Sequence, residues 1–258
     1  MIYFYFEITK ILKRHHTFIF LVATFLLFPT GIAILTKISI EAGEISEGLF
    51  LDTVSLYTLK FSQTYLFIPV WVLIFNSQEF KNGHVQKVIF LKSREFYFLS
   101  KIVYCLIISF LFSFFGLFSL FLCCAVSGFK DLNVSFLYIV EFFSLFFLSS
   151  LALSIFLSLI SFTVRSPGIS FIVYIGWQFI ESIIFLLFYK LYDIKLSWLP
   201  LHSIQILFNK EIEKGEGNYR RLFTEFEPLL LVTFLMSVLI LIVIYKHFQR
   251  TDLKPLSD

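Results

Sequence analysis

The sequence predicts an all-α, polytopic membrane protein with six transmembrane helices. Hydrophobic residues make up 58% of the 258 positions and charged residues only 15%, whereas about a quarter of the residues of a soluble domain are charged. The mean hydropathy is +0.86. Apolar surface on this scale needs a solvent other than water, so the chain is predicted to lie in a lipid bilayer.

Six segments are long and apolar enough to cross a membrane, since a span needs about 20 mostly apolar residues. They cover residues 17–35, 55–75, 102–126, 136–162, 169–189 and 228–246. The second reaches full length only if Lys60 extends its ammonium group to the membrane surface. The whole chain, residues 1–258, is therefore predicted to form a single transmembrane domain.

The distribution of basic residues predicts the orientation. An even number of spans places both termini on one side, together with the loop over residues 76–101. On that side Lys and Arg outnumber Asp and Glu, whereas acidic residues are the more numerous in the opposite loops. Because cytoplasmic loops retain positive charge, both termini and the 76–101 loop are predicted to be cytoplasmic.

Residues 2–14, before the first span, have the pattern of an amphipathic helix. Apolar side chains fall on one side and charged side chains on another, at the spacing of three to four residues that a helix requires. The charged residues are Glu7, Lys10, Lys13 and Arg14. Such a helix would lie in the cytoplasmic interface with its basic face toward lipid headgroups. A simple cytoplasmic extension of the first span is the alternative.

The longest external loop is predicted over residues 190–227, before the last span. Within it, the 13 residues 196–208 are apolar and interrupted by Pro200. This segment is too short to cross the membrane and is predicted to form a re-entrant or interfacial helix.

The 76–101 loop contains the sequence pattern of a short helix. Val85, Val88 and Ile89 fall on one helical face, which predicts a helix lying flat at the membrane surface. Ser93 is a suitable N-cap for the helix leading into the third span, with Glu95 in its first turn. A merely basic connection that sets the topology is the alternative.

In this loop the sequence resembles the type-2 ABC transporter permeases, the transmembrane subunits of ABC exporters. The residues that are similar to the family's E-x-x-x-G, S-R and K pattern are Glu79, Gly83, Ser93-Arg94 and Lys101. Outside the loop, Glu7-x-x-Lys10 is similar to the family's interface helix, and Trp198-Leu199-Pro200 to its extracellular re-entrant hairpin. His84 and Lys92 depart from the pattern, because the family usually has Thr and Pro at these positions.

The resemblance implies that this loop holds the coupling helix, which docks on a separate ATPase subunit. The residues implied in ATPase coupling are Gln78, Glu79, Phe80, Gly83, Val85, Val88, Arg94 and Lys101. The expected assembly contains two ATPase copies and a second permease copy or a paralogue, in the cytoplasmic (inner) membrane of a bacterium. ATP and Mg are expected in the ATPase. This chain is expected to bind no cofactor and to catalyse nothing, since its glycines form no G-x-x-x-x-G-K-[ST] phosphate loop.

Within the predicted fifth span, Glu181 is the most informative residue. It lies 12 residues past Ile169, which is roughly 18 Å along a helix and near the middle of the bilayer. The residues that share its helical face are Tyr174, Gln178 and Ser182. Because a carboxylate is costly in lipid, this face is predicted to line a translocation path or a dimer interface. Interhelical hydrogen bonding of a neutral Glu181 is the alternative.

Two other classes of function are alternatives. An intramembrane metalloprotease would need a motif such as H-E-x-x-H, and neither Glu141 nor Glu181 has a histidine partner within a span. A non-catalytic membrane assembly or immunity factor would share the same fold and would differ only in its independence of ATP. The net charge of +3 is too small and scattered for a nucleic-acid partner. No residue identifies the substrate.

Overall fold

The computed structural model describes residues 2–12, 15–43, 67–81, 83–127, 136–192 and 221–250. These residues form eight helices and no strand. The helices are α1 (Ile2–Leu12), α2 (His15–Glu41), α3 (Phe67–Lys81), α4 (His84–Leu91), α5 (Arg94–Ser127), α6 (Phe136–Val164), α7 (Pro167–Tyr192) and α8 (Arg221–Arg250). The predicted all-α class is therefore confirmed over the described residues.

Five of the six predicted spans coincide with long helices, namely α2, α5, α6, α7 and α8. Of these, three are long and apolar enough, over the residues that the structure describes, to cross a membrane: Arg94–Val126, Phe142–Val164 and Pro167–Tyr192. This architecture is consistent with a helical membrane protein. The predicted second span overlaps the described chain only from Phe67 onward, and the predicted re-entrant segment 196–208 lies outside the described residues.

The predicted 76–101 loop is mostly helical. α3 continues to Lys81 and α5 begins at Arg94, so little remains between them except α4. The Ser93 hydroxyl accepts a hydrogen bond from the backbone N–H of Phe96 at 3.0 Å, which confirms the predicted N-cap. Gly83 has a φ of 66°, a left-handed conformation that glycine adopts without steric cost and that turns the chain from α3 into α4.

α6 lies at the centre of the described bundle and packs against α3, α5, α7 and α8. Its approach to α5 is close because Gly116 has no side chain: a Cβ there would lie 2.9 Å from Cδ1 of Phe146 and nearer still to Cε1. Buried serines lie on the same two helices, and several donate to carbonyls of their own helix, as Ser158 Oγ does to Ser154 O at 2.8 Å. Small side chains therefore allow the helices at the centre of the bundle to pack closely.

Six helices meet at one end of the bundle around a cluster of buried apolar residues. Its buried members are Phe80, Val85, Val88, Tyr97, Phe162 and Ile244, and Phe6 of α1 packs against them. We call this apolar cluster the platform. It brings α1, α4 and the ends of α3, α5, α6 and α8 into a single packed unit.

Candidate functional site

Four charged side chains and a tyrosine meet next to the platform. α1 contributes Glu7 and Lys10, α3 contributes Glu79, and α5 contributes Tyr97 and Lys101. Lys10 is partly exposed, and the other four side chains are buried. We call these five residues the charge cluster.

Glu79 is the central acceptor of the charge cluster. Its Oε1 accepts hydrogen bonds from Nζ of Lys101 at 2.8 Å and from Nζ of Lys10 at 3.0 Å. Its Oε2 accepts a third bond from the hydroxyl of Tyr97 at 2.9 Å. A single carboxylate on α3 therefore joins α1 and α5 by charge-assisted hydrogen bonds, which are among the strongest in proteins.

Glu7 closes the cluster from the side of α1. Its Oε1 lies 3.1 Å from Nζ of Lys10, and its Oε2 lies 3.8 Å from Nζ of Lys101. Two carboxylates thus face two ammonium groups, so the cluster has no net charge. Burying such groups is tolerable only when the charges are paired and hydrogen-bonded in this way.

Aromatic rings surround the two ammonium groups. Nζ of Lys10 lies 4.3 Å from the ring centre of Phe6. Nζ of Lys101 lies 5.4 Å from the ring centre of Tyr97 and 4.8 Å from that of Tyr104. These cation–π contacts partly replace the water that burial removes from the lysines.

The charges of the cluster fix its protonation. Burial by itself raises the pKa of the Glu79 carboxyl, but the ammonium groups of Lys101 and Lys10 outweigh it and lower that pKa to about 2. Burial and the charge of Lys101 lower the pKa of Lys10. Burial, followed by the charge of Lys10, also lowers the pKa of His84 from 6.5. At neutral pH Glu79 is therefore ionised and His84 is neutral.

α4 covers the platform and presents its other face outward. Val85 and Val88 are buried in the platform, and the ring of His84 stacks on Phe6 of α1 with a centroid distance of 6.1 Å. The opposite face is open: Phe90 is 90% and Leu91 74% exposed, with exposed lysines at Lys87 and Lys92. α4 is therefore packed against the protein on one face and exposed on the other, where another molecule can contact it.

Most of the residues predicted for ATPase coupling lie inside the protein, in the platform or in the charge cluster. Glu79, Phe80, Val85, Val88 and Lys101 are all buried, so a docked protein would not touch them. The outward residues Lys87, Phe90, Leu91 and Lys92 were not predicted. Gly83 forms the turn before α4, and Gln78 is partly buried on α3.

Arg94 joins the start of α5 to the end of α8. Its Nη1 donates to the backbone carbonyl of Gln249 at 2.6 Å. Cationic side chains are favourable at a helix C-terminus, where carbonyl groups lack intrahelical partners. The structure thus gives Arg94 a role in packing the platform end, in addition to any role in coupling.

The predicted orientation of the N-terminal helix is wrong for Glu7 and Lys10, which face the protein rather than lipid headgroups. Glu7 and Ile11 lie one helical turn apart and are both buried, so the inward face of α1 mixes a charge with apolar groups. Glu7 and Lys10 face inward because their ion-pair partners, Lys101 on α5 and Glu79 on α3, lie inside the protein. The sequence pattern of α1 alone does not reveal these partners. Lys13 and Arg14 lie outside the described residues.

On α7, the four residues of the predicted polar face differ in their burial. Tyr174 and Glu181 are buried, Gln178 is partly buried, and Ser182 is exposed. Gln178 Nε2 donates to the Tyr174 hydroxyl at 2.7 Å, and Ser182 Oγ donates to the carbonyl of Gln178 at 2.8 Å. Trp177 Nε1 donates to Glu181 Oε1. These bonds all run along one helix.

Tyr97 is the member of the charge cluster that sequence reasoning missed. It precedes Lys101 by four residues on α5, so the two side chains share a helical face. A tyrosine one turn from a lysine at a predicted span boundary is the pattern that would have revealed it. Among the described residues, no group of three or more His, Cys, Asp or Glu side chains is placed to hold a metal ion.

Over the residues that the structure describes, the chain is all-helical, with three apolar helices of membrane-spanning length. No family model, curated protein or solved structure matches the chain.

Proposed function

We propose that the chain is the permease subunit of an ABC-type exporter, which dimerises and couples to a separate ATPase subunit to move a substrate across the cytoplasmic membrane. The proposal rests on the way α4 packs on the platform. α4 is a short helix with a buried face on the platform and an exposed apolar end flanked by lysines. An exposed phenylalanine and leucine at the end of such a helix are typical of a protein docking surface.

The charge cluster supports the proposal because it connects α4 mechanically to the rest of the molecule. Glu79 lies on α3, one residue before the platform residue Phe80, and its lysine partners lie on α1 and α5. A push on α4 therefore reaches α1, α3 and α5 together, since packed units move as rigid bodies rather than deform continuously. Closure of the ATPase subunits would be transmitted to the spans in this way.

In the proposed assembly, both termini and α4 face the cytoplasm, and two six-span subunits enclose the path. On α7, the exposed Ser182 and the partly buried Gln178 of the polar stripe face that path or the second subunit, whereas Tyr174 and Glu181 are buried within this chain. The first two residues give α7 a polar surface at a depth where lipid contact is unfavourable. ATP and Mg are bound by the ATPase subunit.

Co-purification tests the proposal. The full chain is tagged and purified from its native membranes in a mild detergent, and captured proteins are assayed for ATP hydrolysis. We expect an ATPase to co-purify, and we expect Phe90→Asp to abolish its capture because a buried carboxylate would oppose docking.

The matched control is Phe136→Asp. Phe136 is also exposed, but it lies at the first residue of α6, whereas Phe162 near the other end of that helix belongs to the platform. The control should retain the ATPase. Purification of a folded chain that never captures an ATPase would contradict the proposal and favour a membrane assembly or immunity factor, which works without ATP.

A further inference from the structure

A groove lies between α5 and α8, beside the platform. Its volume is about 390 Å³, within the size range of small-ligand sites. The residues that line it are Glu95, Phe98, Leu99, Val238, Leu241, Ile242 and Tyr245. All are apolar or aromatic except Glu95, and Tyr245 adds a hydroxyl.

The groove has a defined end. The rings of Phe98 and Tyr245 meet across it with their centroids 5.1 Å apart, and beyond them Arg94 bonds the carbonyl of Gln249. These contacts hold α5 and α8 together and close the groove at its platform end. In the other direction, the lining side chains of α8 continue as an apolar stripe along a helix of the bundle. An occupant therefore has its polar part beside Arg94 and Glu95 and its apolar part along α8.

The charges at the closed end are of both signs. Glu95 is exposed and makes no ion pair with any residue that the structure describes. Lys246 is also exposed; it directly follows the lining residue Tyr245 on α8 and lies one turn beyond Ile242. Arg94 adds a second positive charge. A ligand that matches this end carries an anionic group and a cationic group close together.

We propose that the groove binds a glycerophospholipid whose headgroup carries a primary ammonium beside its phosphate, such as phosphatidylethanolamine. Its acyl chain lies along Leu99, Val238 and Ile242, its phosphate faces Lys246 and Arg94, and its ammonium donates hydrogen bonds to Glu95. A primary ammonium has three donors, whereas a choline headgroup has none. Pockets between helices near the membrane surface bind lipid headgroups. Glu95 is the one charged residue of the lining, and its carboxylate selects among the headgroups.

Native mass spectrometry of the full-length, delipidated chain tests the proposal. Equimolar phosphatidylethanolamine, phosphatidylcholine and phosphatidylglycerol are added in detergent. We expect phosphatidylethanolamine to be retained about 3-fold more than phosphatidylcholine, the size of effect that one exposed ion pair gives. Equal retention of these two lipids, or preference for phosphatidylglycerol, would overturn the headgroup assignment.

Variants test separately which residue selects the headgroup and whether the lipid binds in the groove. Glu95→Gln should remove the preference, while Glu41→Gln, at an exposed carboxylate of α2, should keep it. Ile242→Trp fills the groove and should remove the retained lipid. Leu239→Trp, on the same helix but outside the lining, should not.

Circular dichroism of each variant verifies that the helices are intact. If a folded Ile242→Trp retains the lipid, or if both tryptophan variants lose it equally, the groove is not the site. A transmembrane helix of another subunit is the competing occupant, and loss of the lipid on assembly of the purified complex would show that the helix displaces it and overturn the proposal. The comparison of lipids and of variants uses this chain alone and does not depend on whether an ATPase partner exists.

Discussion

Two buried carboxylates of this chain are held in different ways. Glu79 and Glu181 are 5% and 4% exposed, so burial does not distinguish them. Glu79 accepts bonds from Lys10 and Lys101 on two other helices, whereas Glu181 accepts a bond from Trp177 one turn earlier on its own helix. The first carboxylate connects helices, and the second is positioned within one helix.

The difference indicates what each region is built to do. A carboxylate that joins α1, α3 and α5 makes the platform end stiff, because moving one helix would leave a buried charge without its partner. The bond from Trp177 to Glu181 lies within α7 and joins it to no other helix. The comparison therefore predicts a rigid end under α4.

The largest expected effect is that of Glu79→Gln. Removing the carboxylate leaves the buried ammonium group of Lys101 and the partly exposed one of Lys10 facing only Glu7. Breaking such a network should cost about 3–5 kcal/mol. Thermal unfolding in detergent, followed by circular dichroism, measures the loss. Adding Lys101→Met to Glu79→Gln restores the charge balance, so the double variant should lose less than the sum of the two single losses. Additive losses would show that the two residues do not form a buried pair.

A second prediction concerns acid stability. The pKa of Glu79 is about 2 in the folded chain, against an ordinary value of 4.5. The unfolded chain therefore takes up the proton first, and the stability from this carboxylate is complete above pH 4.5 and is lost as the pH falls toward about 2. The difference in melting temperature between the native chain and Glu79→Gln should shrink over that window. A difference that is independent of pH would contradict the ion pairing.

The smallest expected effect is that of Glu181→Gln. The Gln side chain keeps an oxygen that accepts the bond from Trp177, so the stability should change by no more than about 1 kcal/mol. The same thermal measurement applies, and Trp177→Phe serves as the companion variant because it removes the donor. If Glu181→Gln destabilised the chain as strongly as Glu79→Gln does, Glu181 would be a structural link and the contrast between the two carboxylates would disappear.

Hydrophobic runs predicted most of the helices, because a span must satisfy its backbone hydrogen bonds internally. The runs did not predict where helices end. α3 continues to Lys81 and α5 begins at Arg94, since polar residues at a helix end can be satisfied by neighbouring helices as well as by water. The prediction that lipid headgroups cover the charged side of α1 is wrong for Glu7 and Lys10 for the same reason.

Four of the five residues of the charge cluster were singled out from the sequence, but not as a unit and without Tyr97. Glu7, Lys10, Glu79 and Lys101 were singled out through the resemblance to a family, in separate segments. Lys10 and Glu79 are 69 positions apart and Glu79 and Lys101 are 22 apart. Such contacts depend on how α1, α3 and α5 pack, and no local pattern specifies that packing. The exposed end of α4 at Phe90 and Leu91 likewise follows from the burial of Val85 and Val88 on the opposite face.

The central claim is that the exposed end of α4 contacts an ATPase. It is tested most directly by replacing Phe90 with a photo-crosslinking phenylalanine analogue in the full chain and irradiating native membranes. We predict a crosslinked product that contains an ATP-binding protein and that is absent when the analogue replaces Phe136 instead. If position 90 crosslinks only to lipid or to this same chain, the account of α4 as a coupling helix is wrong.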